Sequence, residues 1–256
     1  MVKNLEIVSA NNVTVISLCY NDETYLKKHF ENLLFANEII LINNNSTDKS
    51  VEIAQELGAT IIEQNNSFKD DCIKLAIESA KNNWILLVSC TDHLPEKLVN
   101  EISSEISKQK TASSYYSGQT LFFFGKTIKY GVFLNRKKLL LFDKTRHSYS
   151  KSVDTSWFKK PKLFKTKIAS FAYKDFDDFS NRLNVIRKEE AQILFKKNKR
   201  PNIYHFFIKP FYVFFSQFFL KLGFLNGREG FILAYICAFS ILKRYFILWL
   251  LYRNMD

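Results

Sequence analysis

VTVISLCYNDETYLKKHFENLLFANEIILINNNSTDKSVEIAQELGATIIE, residues 13–63, decides the fold. It holds three short apolar runs of strand length: VTVISLC (13–19), EIILIN (38–43) and ATIIE (59–63). A fourth, WILLVS, follows at 84–89. Between the runs the period changes. Leu26, Phe30, Leu33 and Leu34 recur at the spacing of a helix face, and so do Ile73, Ala76, Ile77 and Ala80. Continuous apolar strands alternating with amphipathic helices predict an α/β layer of the nucleotide-binding type, a parallel sheet with helices on both faces. Ligands of such sheets sit beyond the carboxyl ends of the strands. Those ends are Tyr20–Glu23, Asn43–Asp48 and Cys90–His93, so candidate function concentrates there.

Further along, Leu98, Val99, Ile102 and Ile106 mark another helix, with Pro95 in its first turn. Residues 113–142 turn strand-like and aromatic (SSYYSGQTLFFF, KKLLLF), and 175–199 read as a charged helix on Phe176, Phe179, Leu183 and Ile186. The expected organisation is one domain over 1–199, with a nucleotide-sugar-binding half at 1–110 and an acceptor half at 111–199. An apolar, basic helical tail follows at 200–256.

Of the 256 residues, 47% are apolar and 24% charged, and 7 Gly with 4 Pro argue against a disordered or fibrous chain. Cys19, Cys72, Cys90 and Cys237 are widely spaced and form no CxxC pair, which excludes a disulfide framework or zinc ribbon and suits a reducing compartment. The opening MVKNLEIVSANNV has no apolar core of a signal peptide, so the expected location is the cytoplasm. The net charge of +12 is unevenly placed: −6 over 1–125, +11 over 126–167 and +5 over 200–256. A basic rear points to an anionic partner, either nucleic acid or a phosphate-bearing lipid surface. The tail, YHFFIKPFYVFFSQFFLKLGF then GFILAYICAFSILKRYFILWLLYR, decides for lipid. Its longest uncharged stretch is Gly230–Leu242, short of a span, so it reads as two helices lying in the membrane interface; two core helices of a globular domain are the alternative. Nucleic acid is not an expected partner.

These residues carry a resemblance. VISLCYNDETYLKKHFENL is similar to the first strand and helix of family 2 glycosyltransferases, and EIILINNNSTDKSVEIAQELGA to their second strand, loop and helix. WILLVSCTDHLPEKL stands where that family places its metal-binding Asp-x-Asp. GKTIKYG (125–131) and KLGFLNGREGFILAYICAFSILKRY resemble the bacterial subgroup that adds glucose to the lipopolysaccharide or lipooligosaccharide core. The resemblance implies a GT-A fold, a nucleotide-sugar donor of the UDP type and an inverting transfer of a hexose. It also implies a lipid-linked saccharide acceptor at the inner face of the cytoplasmic membrane.

It implies site residues as well. Asn21, Asp22 and Glu23, with Asn43 and Asn45, would hold the nucleoside. Asp92, with His93, would hold Mn²⁺ or Mg²⁺ against the donor diphosphate, the hard-oxygen role of the motif. Asp154 would take the acceptor proton as catalytic base. The chain departs from the pattern at several of these places. The first Asp of the metal motif is Cys90, the acidic residue that often follows it is His93, the base-reading Asp is Asn43, the Asn ahead of the third helix is Lys74, and a later His falls on Ser170. Each position has a structural reading too. Asp92 would hydrogen-bond the next helix, Asn43–Asp48 would be a capping loop, Lys74 would face water and Asp154 would join an ion pair. The departures leave an alternative open: a catalytically inactive glycosyltransferase-like scaffold at the membrane.

Overall fold

The computed structural model describes residues 11–64, 69–108, 112–123, 126–131, 136–146, 161–170 and 176–254. They form two compact units, one of 1–119 with 137–170 and one of 120–136 with 171–256.

In the first unit the alternation yields β1 (Asn11–Cys19), α1 (Glu23–Asn32), β2 (Ala36–Asn43), α2 (Ser50–Glu56), β3 (Thr60–Glu63), α3 (Lys69–Ser79) and β4 (Trp84–Ser89). Then come β5 (Asp92–His93), α4 (Glu96–Ile106), β6 (Ser114–Phe123), whose end passes into the second unit with β7 (Lys126–Ile128), and, back in the first, β8 (Lys137–Asp143), β9 (Lys162–Leu163) and β10 (Ile168–Ser170). The strand order is β3-β2-β1-β4-β8-β6-β10-β5. β1 runs parallel to both β2 and β4, and β2 parallel to β3, whereas β8 is antiparallel to β4 and β6.

The period of two along each strand sorts side chains onto two faces. Val13, Val15, Leu86 and Val88 pack with Leu98 and Ile102 of α4. Ile16, Ile40, Ile42, Ile85 and Leu87 pack with Ile73, Ala76 and Ile77 of α3 and with Ala80 just after it, the face expected for that helix. Each such Ile or Leu contributes roughly 1.5–3 kcal/mol by leaving water. Two local expectations are corrected. Leu34 is 71% exposed, because α1 stops at Asn32. There the Asn32 amide donates to Leu94 O (2.9 Å) and accepts from Leu94 N (2.7 Å), ending the helix in a clasp on another segment. Pro95 is the residue ahead of α4 rather than in its first turn.

In the second unit β6 continues past Gln119 and pairs antiparallel with β7. Helices α5 (Phe176–Lys196), α6 (Ile203–Phe206), α7 (Ile208–Phe215) and α8 (Arg228–Arg253) follow, with a π-helical turn over Ser216–Leu220 and a 3₁₀ turn over Gly223–Asn226 between the last two. Leu121, Phe123, Ile128, Phe179 and Leu233 make one core, and Ala191, Ile241, Tyr245 and Leu248 another. α8 is the second expected tail helix, and it is longer in apolar reach than the uncharged run Gly230–Leu242 suggests. Lys243 and Arg244 do not break it, and its 26 residues, with a window of mean hydropathy 1.8, are long and apolar enough to cross a membrane. The protein itself buries 39% of that window. Arg244 reaches Glu190 of α5 (3.0 Å), which Arg187 also meets (2.6 Å), so the two guanidiniums share one carboxylate within the unit.

Candidate active site

The carboxyl ends of β1 and β2 carry two loops that lock onto each other. Asn21 and Asn45 both adopt the left-handed conformation, φ 53° and 55°, which Asn tolerates better than most residues. That turn directs Asn21 N to Ser46 Oγ (3.0 Å) and lets Asn21 Oδ1 accept from Thr47 N (2.8 Å). Asp22, fully buried, has its N–H on Ser50 Oγ (2.8 Å) and its carboxylate on Tyr20 N (3.1 Å). Glu23 N donates to Asp48 Oδ2 (3.1 Å), and Glu23 Oε2 accepts from Lys49 N (3.1 Å). Asn43, 4% exposed, accepts from Ser46 N (3.0 Å) and donates to Glu63 Oε2 on β3 (2.7 Å). The structure therefore brings Asn21, Asp22, Glu23 and Asn43 into one hydrogen-bonded rim, with Asn45 in the turn beside it. Much of their polar capacity shapes the rim, and Asn45 is exposed.

Beyond β4 the chain turns at Cys90–Thr91 into β5, where antiparallel register sets Ser170 opposite Asp92 and Ala169 opposite His93. The β4–β8 register, carried past Leu86↔Leu141 toward the carboxyl end of β4, brings Lys138 alongside. Asp92 consequently sits among three donors. Lys138 Nζ lies 2.5 Å from Oδ2, Ser89 N 2.9 Å from the same oxygen, and Ser170 Oγ 2.5 Å from Oδ1. Burial opposes its ionisation, but the Lys138 ammonium and these hydrogen bonds outweigh burial and hold the carboxyl below the usual range. Asp92 is an anion throughout the physiological range. His29 of α1 lies buried nearby with Nε2 2.8 Å from Ser17 Oγ, and burial pushes its pKa down to about 4. His93, half-buried, is also held below the ordinary histidine value, by burial and then by Lys28. Lys74 stands at the surface 3.8 Å from Glu78. Asp154 lies outside the described residues.

Among the described residues, two donor sets bear on a divalent cation. The first is Asp92 with His93, one carboxylate already neutralised by an ammonium plus an imidazole. The second is Cys19, Asp22 and Cys90, buried, with ligand atoms within 4.8 Å of one another. There the Cys90 contact lowers the Cys19 thiol against the opposing effect of burial, while burial raises Cys90. Mg²⁺ and Mn²⁺ favour several hard oxygens, whereas paired thiols suit softer ions. Neither set fits a hard cation at the diphosphate.

Sequence reading passed over Lys138 and His29. In the sequence Ser170 stands only as a replaced His. No local pattern joins Lys138 or Ser170 to Asp92; strand register does. A groove of about 500 Å³ lined by Asn12, Asn82, Trp84 and Ile106 lies at the opposite, amino-terminal edge of β1 and β4, away from where such sheets bind ligands.

The sequence matches the glycosyl transferase family 2 profile over residues 14–166, and the chain belongs to that family. It is a glycosyltransferase with the GT-A type of α/β layer, acting with a nucleotide-sugar donor. An uncharacterized glycosyltransferase of Rickettsia bellii is 26% identical over 219 residues, covering 80% of this chain and 74% of that one. Another from Rickettsia prowazekii is 25% identical over 217 residues, 79% and 74% of the two chains. Among solved structures, S. aureus TarS 1–349 superposes with TM-score 0.45 at 14% identity over 95% of this chain and 92% of its own. Glucosyl-3-phosphoglycerate synthase of Mycobacterium tuberculosis, in complex with Mn²⁺, UDP and glucosyl-3-phosphoglycerate, gives 0.45 at 11% identity, covering 75% and 81%.

Proposed function

We propose that this glycosyltransferase moves a hexose from a nucleoside-diphosphate sugar to a lipid-linked saccharide of the lipopolysaccharide-core type, with inversion, at the inner face of the cytoplasmic membrane. The observation that carries the donor half is the rim of Asn21, Asp22, Glu23 and Asn43, with Asn45 in the adjoining turn, beside an ionised Asp92, all at the carboxyl edge of the parallel strands. The nucleoside lies against the rim and the diphosphate lies over the end of β4. Asp154, in the basic segment, takes the proton of the acceptor hydroxyl.

The acceptor half draws support from the tail. Phe207 (72%), Phe211 (69%), Phe231 (49%), Tyr235 (60%) and Phe239 (55%) hold large apolar surface in water. On α8 the positions 231, 235 and 239 recur every four residues and so share one face. Exposed apolar area on this scale marks an interaction site, and the +5 charge of 200–256 suits an anionic lipid surface.

The test is transfer by the purified full chain in mild detergent, from labelled nucleotide hexoses to extracted lipid-linked core oligosaccharide. Label is expected in the lipid fraction, with anomeric configuration opposite to the donor, and Asp154→Asn is expected to abolish it. Absence of transfer from every donor would reject the proposal in favour of the inactive scaffold.

A further inference from the structure

We propose that Lys138 supplies, as a fixed ammonium, the positive charge that a divalent cation supplies in the Asp-x-Asp arrangement, so that the donor diphosphate is bound and released without metal. The inference rests on the donor reading above and deepens it.

The geometry is that of a filled site. A carboxylate offers about four lone-pair positions, and three on Asp92 are taken, by Lys138, Ser89 and Ser170. The pair is also ordered in depth: the Asp92 side chain is 3% exposed and that of Lys138 22%. The carboxylate is the floor, and the lysine side chain above it is the member of the pair that keeps some contact with solvent. A cation approaching Asp92 would meet a like charge first and would have to expel it. Residue 90, where a second carboxylate would be needed, is a buried cysteine facing Cys19 and Asp22. Nor is the ammonium free to wander. Ser170 holds the other carboxylate oxygen and Ser89 N shares Oδ2 with the lysine, β8 fixes the lysine backbone, and the Asn32–Leu94 clasp holds the segment just beyond His93.

A lysine ammonium carries three N–H donors and no acceptor, so one can remain on Asp92 while others meet phosphate oxygens. Placed charges of this type stabilise a departing diphosphate as a metal does. In the transfer, the anomeric carbon–oxygen bond to the β-phosphate breaks and its electron pair stays on that oxygen. The acceptor oxygen forms the new bond to the anomeric carbon, and its proton goes to the base assigned above, Asp154. Lys138 keeps its proton throughout and compensates the charge left on the diphosphate.

Titration calorimetry on the full chain in mild detergent tests this, with UDP, GDP and ADP in turn, in excess EDTA and then with Mn²⁺. Wild-type affinity for the bound nucleotide is expected to change less than about threefold between the two conditions, and Lys138→Met to weaken it by at least about tenfold in EDTA. Lys138→Arg keeps the charge and is expected to keep metal-free binding. Because Lys138→Met strands a buried carboxylate, Asp92→Asn/Lys138→Met is the folded control and is expected to bind as weakly. Tightening of wild type by Mn²⁺ of tenfold or more, or a double variant binding as wild type does, overturns the role of Lys138 while leaving the donor site standing. Failure of every nucleotide to bind overturns the donor reading and this inference together.

Discussion

Asn43 stands where the family pattern places a base-reading Asp, and Glu63 gives the reason an Asp would be costly there. Its amide donates to the Glu63 carboxylate at 2.7 Å; a carboxylate in its place would meet like charge at that distance. Asn43→Asp is therefore expected to lower stability by about 1–3 kcal/mol at pH 7, and Glu63→Gln in the same chain to restore it, as read by urea midpoints. The exchange from Asp is legible in the sequence, but its cause is not, because Glu63 becomes a neighbour only through the β2–β3 register. The same holds for Asp92. Its position at the end of the fourth strand could be read from WILLVSCTDH; its partner Lys138, 46 residues away, could not. Breaking that buried pair with Lys138→Met is expected to cost about 3–5 kcal/mol, with much of the loss recovered when Asp92→Asn removes the other charge. His29 adds a pH dependence. Its folded pKa of about 4 lies below the ordinary 6.5, so the unfolded chain binds the extra proton between those values. Stability is full above pH 6.5 and falls by up to about 3 kcal/mol as pH drops to 4. His29→Gln should flatten that slope in unfolding measured across this range; an unchanged slope would show that another group carries it.

The first four strands and α3 were legible because period and burial agree: β1 to β4 lie over the apolar runs, and Ile73, Ala76 and Ile77 of α3, with Ala80 just after it, are buried as their spacing named. The end of α1 was not, since Asn32 leaves the helix for a partner distant in sequence. The tail is the clearest case. A helix running through Lys243 and Arg244 was legible, but counting uncharged residues in a row understated its apolar length, because Arg244 is drawn to Glu190 on α5. Two glycines join the turns before α8 to its start. A Cβ on Gly230 would fall 1.9 Å from Gly223 O, and one on Gly223 2.5 Å from Gln217 O. Neither contact involves a flexible side chain, so backbone must move. Gly230→Ala is expected to destabilise the second unit by about 1–3 kcal/mol or more, visible as a lower melting temperature. An unchanged melting temperature would mean that these segments separate at little cost.

At the scale of the whole chain, charge asymmetry and the aromatic tail were plain in composition, and they set the strongest expectation about surroundings. Vesicles containing anionic phospholipid are expected to sediment the protein, with added salt weakening but not abolishing binding, because apolar contact survives screening. Replacing Phe211, Phe231 and Phe239 by Ser should release it; retention of the triple variant at wild-type levels would point to another surface. What composition could not supply is where the donor sits, since that depends on loops and strands meeting at one sheet edge. A crystal structure of the full chain with a nucleoside-diphosphate sugar tests this most directly. The predicted result is a nucleoside against residues 20–23 and 43–48, with the diphosphate within hydrogen-bonding distance of Lys138 Nζ. A nucleotide in the groove of Asn12, Asn82 and Trp84, at the other edge of the sheet, would contradict it.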